Sequence, residues 1–206
     1  VRGIRFIESR WWATCFMFCR YGRIADLDFR MYGNLENQDG VDLRIGCHDI
    51  QIRNITGETC DDVVALTALG TPGSPRFEDV YRCEHMSPDI RNVTIRNITA
   101  FCNHCAMVRL LCHFGNKLYN IHIDSIVDAS PEEHSVVVNE GVRTAVGVKV
   151  GEYGYHKNDL ANLVRPGDMK NISISNVFPT HAPRRPEYNK PGNYKFSHIR
   201  LVTMPT

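Results

Sequence analysis

The sequence predicts an all-β chain, a right-handed parallel β-helix (solenoid), on three observations. Short segments alternate apolar and polar residues with period two, as Asn92-Val93-Thr94-Ile95-Arg96-Asn97-Ile98 does. They return at intervals of roughly 20 to 45 residues, the range of a repeating supersecondary unit. No convincing run of helical periodicity lies between them. An antiparallel β-sandwich is the alternative for many short strands, but the Asn-Gly and Asp-Gly hairpin turns it favours are scarce, and Asp39-Gly40 opens a strand instead of joining two.

One series of strands is expected at Gly3–Ile7, Arg23–Leu27, Asp49–Ile55, Asn92–Ile98, Asn120–Ile126, Asn171–Val177 and His198–Leu201. In each, the Ile, Val and Leu side chains fall on one face and the Arg, Asn, Thr and Gln side chains on the other. A second series follows after short polar turns, at Val41–Ile45, Val63–Leu66, Ala106–Leu111 and Ala145–Val150. Strands without crossover helices stack parallel about 4.8 Å apart, with an Ile and Val ladder inside. The 206 residues are expected to form a single domain, 1–206, with 179–195 as a Pro-rich surface loop containing Arg184-Arg185. A first residue other than Met, inside a strand pattern, suggests a piece of a longer chain. An uncovered first coil would expose unpaired backbone, which a cap, a partner chain or self-association through that end must cover.

Hydrophobic content of 43% suffices for a sizeable core, and a net charge of +1 argues against nucleic-acid binding. No apolar run reaches the ~18 residues of a membrane span. The eight cysteines are too scattered for a compact disulfide scaffold. Cys102-Asn103-His104-Cys105 lacks a second ligand pair, so no metal is expected, nor any cofactor. Buried reduced thiols suit a reducing compartment such as the cytoplasm, without excluding secretion. The sequons at Asn54, Asn92, Asn97 and Asn171 recur in phase with the strands and read as turn-forming, stacking asparagines instead of glycan carriers. Trp11-Trp12 offers either a ring on which a sugar stacks or a buried end cap.

The chemistry lies where the repeats align. Asp39 and Asp42 in one repeat and Asp61 and Asp62 in the next bring carboxylates within one strand spacing. Crowded carboxylates repel, which raises one pKa and leaves another group ionised, as an acid and base pair for glycosidic cleavage requires. Following repeats add His104, Arg109 and Lys149, whose cationic groups suit a substrate carboxylate or a sugar ring.

Asn37-x-Asp39-Gly40-Val41-Asp42 followed by Asp61-Asp62, with Glu8-Ser9-Arg10-Trp11-Trp12 upstream, resembles the signature of the polygalacturonase-type glycoside hydrolases. These are right-handed parallel β-helices of the pectin-lyase-like superfamily that cleave pectin by inversion. The resemblance runs from Gly3 to about Val150. It implies Asp39 and Asp62 on the base side, Asp61 as the acid and Asn37 as a supporting contact. His104 stands at the family's Gly-His-Gly, here Asn103-His104-Cys105, and Lys149 at its Arg-Ile-Lys, here Gly147-Val148-Lys149. Cys60 replaces the glycine before Asp-Asp, and Thr71–His85 looks like an insertion. The expected catalytic set is Asp39, Asp61, Asp62 and His104, with Asn37, Asp42, Arg109 and Lys149 binding a carbohydrate substrate. Two alternatives stay open: a β-helix polysaccharide lyase or epimerase using Ca2+ with a Lys or Arg base, and a non-catalytic carbohydrate-binding, adhesin-like or tailspike-like module.

Overall fold

The structure, a computed structural model, describes residues 1–32, 35–68, 86–102, 105–112, 116–129, 146–151, 167–178 and 197–201, with strand placement alone for 146–151 and 197–201. The strands are β1 (Arg2–Ile7), β2 (Thr14–Phe16), β3 (Arg23–Arg30), β4 (Val41–Leu43), β5 (His48–Thr59), β6 (Val64–Ala68), β7 (Ile90–Cys102), β8 (Ala106–Cys112), β9 (Leu118–Asp128), β10 (Val146–Gly151), β11 (Met169–Phe178) and β12 (Ser197–Leu201). No helix occurs among the described residues, so none there is long and apolar enough to cross a membrane.

The odd-numbered strands β1 to β11 form one six-stranded sheet and the even-numbered β2 to β12 another. Every pairing between these strands is parallel. The expected right-handed parallel β-helix is corrected by this topology. The described residues form two all-parallel sheets with no closed coil, and all-parallel layers are the layout of α/β-type folds. Parallel neighbours need a crossover, and between successive strands of one sheet the chain contributes a strand to the other. Period-two alternation identifies each strand and its buried face, but it carries no information on closure or hand. His198–Leu201, expected in the first series, pairs instead with β10 in the second sheet, and the short β2 was not anticipated.

The register explains the core. Ile24, Ile52, Ile95, Ile123 and Ile174 align across the first sheet, as do Leu27, Ile55, Ile98 and Ile126. Leu43, Leu66 and Leu110 align in the second sheet. Residues of both sheets join one hydrophobic cluster, each fully buried Ile or Leu worth about 1.5–3 kcal/mol. β1 is an edge strand, and its Ile4 and Ile7 are exposed.

The opposite face carries two polar columns. Asp49, Asn92, Asn120 and Asn171 take positive φ, as do Asn54, Asn97, Ser125 and Asn176 five residues further along the same strands, and Asp26 of β3 joins the second column. Asn is among the few residues that enter this region readily, and its side chain hydrogen-bonds locally. Each amide donates to the preceding strand: Asn92 to Asp49 at 2.9 Å, Asn120 to Asn92 at 2.9 Å, Asn171 to Asn120 at 3.0 Å, and Asn97 to Asn54 at 3.2 Å. The sequon asparagines are therefore stacking residues that bend the strands. The Pro-rich loop 179–195 and the expected insertion 71–85 lie outside the described residues, as does Cys83. The other cysteines form no disulfide.

Candidate active site

The segments leading into β4, β6 and β8 lie against one another, because the backbone pairing of the second sheet continues into them. Gly40 N donates to Asp62 O at 2.9 Å, Asp61 N to Gln38 O at 3.3 Å, and Val63 N to Ala106 O at 3.1 Å. On the other side Ala13 N donates to Asp39 O at 2.9 Å. Gly40 is required by this approach: a Cβ there would sit 2.5 Å from Val63 O and 2.8 Å from the Phe29 ring. Asp39, Asp61 and Asp62 thus converge just before their strands begin.

Asp62 is the hub. Its N–H is shared between Asp39 Oδ1 at 3.0 Å and Asp61 Oδ1 at 3.1 Å. Its Oδ1 accepts from Ala106 N at 2.9 Å and its Oδ2 from Arg109 Nη1 at 3.0 Å. Asp61 is half-buried and accepts a further bond on Oδ2 from Asn37 N at 2.9 Å, while its backbone carbonyl takes the Thr59 hydroxyl at 2.6 Å. Asp39, Asp42 and Asp62 are all buried. Among the described residues no N–H hydrogen-bonds the Asp42 oxygens, and Arg44 Nη2 stands 3.6 Å from Oδ1. Arg44 is itself buried, with its guanidinium 3.8 Å above the Trp12 ring.

Burial dominates the electrostatics. It lifts Asp39 well above the usual carboxylate range, with the charges of Asp42, Asp62 and Asp61 adding to the lift. Burial pushes Asp42 up to about 7, against the pull of Arg44 and of a hydrogen bond from the Asp39 carboxyl. Asp62 is raised to about 6 by burial, with Arg109 opposing and Asp61 reinforcing. Burial, with the negative charge of Asp62 and Asp61, also raises the Cys105 thiol, so it stays protonated beside the acids. The cluster holds exchangeable protons near neutral pH, as acid and base chemistry requires.

The structure brings Asn37, Asp39, Asp42, Asp61, Asp62 and Arg109 together. His104 lies outside the described residues. Lys149 pairs in register with Arg109, in a line that runs Cys15, Asp42, Ala65, Arg109, Lys149, Arg200 across the second sheet. The Lys149 side chain is outside the described residues. Sequence reasoning missed Arg44, although the Asp42-x-Arg44 spacing places both residues on one side of a strand. Cys105 registered as part of an incomplete C-x-x-C and as a replaced glycine, not as a neighbour of the acids.

Asp61, Asp62 and Cys105 each offer a ligand atom within 4.8 Å of the others. Calcium takes six to eight oxygen ligands. Here the third donor is a protonated thiol, and the carboxylate oxygens already accept N–H groups. These three residues alone fall short of the oxygen count of a calcium site. Comparison of the chain with protein-family models, with curated proteins and with solved structures gave no match.

Proposed function

We propose that the chain is a carbohydrate-active enzyme, a glycoside hydrolase that cleaves a polysaccharide or oligosaccharide with the carboxyl groups of Asp39, Asp61 and Asp62. One observation carries the reading: half-buried Asp61 shares the Asp62 N–H with buried Asp39. Glycosidic cleavage needs a carboxyl that protonates the leaving oxygen and another that takes a proton from water. Asp61 has the exposure to meet a leaving oxygen, and the resemblance to polygalacturonase-type hydrolases gives it the acid role. Asp62 then takes the proton from the attacking water as the C–O bond breaks, with the protonated Asp39 carboxyl beside it on the base side that the resemblance implies. Arg109 keeps charge on Asp62 near neutral pH.

The resemblance implies inversion, for which the two carboxyls are usually about 6.5–9.5 Å apart. The Asp39 and Asp61 oxygens that bond to one N–H, at 3.0 and 3.1 Å, lie closer than that range. The anomer first released is therefore the informative product, and proton NMR of a fresh digest reads it. For activity itself, Asp61→Asn is expected to lower kcat by about 10²–10⁴-fold, as loss of a general acid does. Unchanged turnover in that variant would remove the reading.

The burial of Asp39, Asp42 and Asp62 favours a second reading, a non-catalytic carbohydrate-binding module in which the acids only shape the surface. Binding by wild type with no turnover on any glycan would establish it.

A further inference from the structure

Trp11 is left 57% exposed. A single exposed apolar side chain needs no explanation, but the mounting of this one does. Its ring meets Trp12 edge to face, at 6.2 Å and 85°. Trp12 carries the Arg44 guanidinium 3.8 Å from its centroid, and Arg44 reaches Asp42 at 3.6 Å. The surrounding backbone is tied to the same acids. Gln38 Nε2 donates to Ser9 O, Ser9 Oγ donates to Trp11 O, and Ala13 N donates to Asp39 O at 2.9 Å. Contacts before, beside and after Trp11 therefore lead to the Gln38–Asp42 segment.

A large aromatic face held in place and open to solvent binds the C–H face of a pyranose at low entropic cost, because the ring is ordered before the sugar arrives. We propose that Trp11 is a sugar-stacking platform that, with Trp12 and Arg44 behind it, forms a carbohydrate subsite flanking the acid cluster. The proposal rests on the hydrolase reading for its ligand class. Trp11 holds the chain and takes no part in bond cleavage. Trp12 is a positioning residue, fixing both the platform and the cation that faces Asp42.

The test titrates wild type, Trp11→Ala and Trp11→Phe with two probes, galacturonate oligomers and neutral cello-oligosaccharides, by calorimetry. Loss of the indole is expected to weaken the probe that binds about tenfold, and Trp11→Phe is expected to retain most of the affinity. Equal affinity in wild type and Trp11→Ala overturns the platform, and so does failure of both probes to bind wild type. Asp61→Asn run alongside separates the two proposals. Trp11-dependent binding without turnover in wild type defeats the hydrolase and leaves the platform standing. Turnover in wild type with KM unchanged by Trp11→Ala defeats the platform alone.

Discussion

Asp26 and Asp62 both lie where polar side chains from successive parallel strands meet, yet their carboxyls are displaced in opposite directions. Hydrogen bonds from Asn54 and Arg2 hold Asp26 below the usual carboxylate range, whereas burial lifts Asp62 to about 6. The contrast follows from what each neighbour can give. An asparagine amide both donates and accepts, so the column Asp49, Asn92, Asn120, Asn171 extends strand by strand with every link satisfied. A carboxylate only accepts, so Asp39, Asp42, Asp61 and Asp62 meet only at the cost of a bound proton or a cation. Acids kept where an amide would cost less support the catalytic reading.

The largest expected effect comes from removing the cation that supports this arrangement. Arg109→Ala strands Asp62 in the interior and is expected to cost about 3–5 kcal/mol in urea unfolding at pH 8. At pH 5 Asp62 takes up a proton and the loss shrinks. An equal loss at both pH values would mean that Arg109 acts through packing alone, and the charged half of the comparison would fail.

A smaller effect comes from pH itself. Asp42 and Asp62 titrate near 7 and 6 when folded, and near the ordinary value of about 3.9 when unfolded. Between these limits the folded chain binds more protons than the unfolded one. The stability these groups contribute is present below about pH 4, falls as pH rises, and is gone above about pH 7, a loss on the order of a few kcal/mol. Asp26, Asp28, Asp49 and Asp124 have lowered values and act at lower pH, so they leave this window clear. Asp42→Asn is expected to flatten the curve and stabilise the chain at pH 8. A wild-type unfolding free energy that is level from pH 4 to 8 would contradict the buried-proton account.

The two halves of the comparison were unequally legible in the sequence. The asparagine columns could be read because a bend every five residues, as in Asn92 and Asn97, prints a local pattern. The strands could be read for the same reason, since alternation in Ile50-Gln51-Ile52 needs no distant partner. Closure and hand could not, because they depend on how the sheets enclose the core, and the β-helix expectation went beyond what period two contains. At the site, Asp39, Asp61 and Asp62 were legible as in-phase acids. Arg44 on Trp12 was not, since nothing in either residue's own segment signals a stacking partner some thirty residues away. The burial of Asp42 was equally hidden, because the alternation Val41-Asp42-Leu43 puts it on the polar side of its strand.

The smallest expected effect tests the neutral half. Asn97 donates to Asn54 at 3.2 Å and sits at φ +55°, so it makes two separable contributions. Asn97→Gly keeps the backbone conformation and loses the side-chain bond, an expected cost of about 0.5–1.5 kcal/mol. Asn97→Ala loses the same bond and keeps a Cβ in the left-handed region without the local hydrogen bonding by which Asn tolerates it, so it is expected to cost about 1–2 kcal/mol more than Asn97→Gly. The difference between the two variants isolates the backbone contribution, and neither result should depend on pH between 5 and 8, because the column holds no proton at that position. If both variants unfold at the wild-type urea concentration, the asparagine column bends the strands without holding them. The energetic contrast with the acid cluster would then rest on the carboxylates alone.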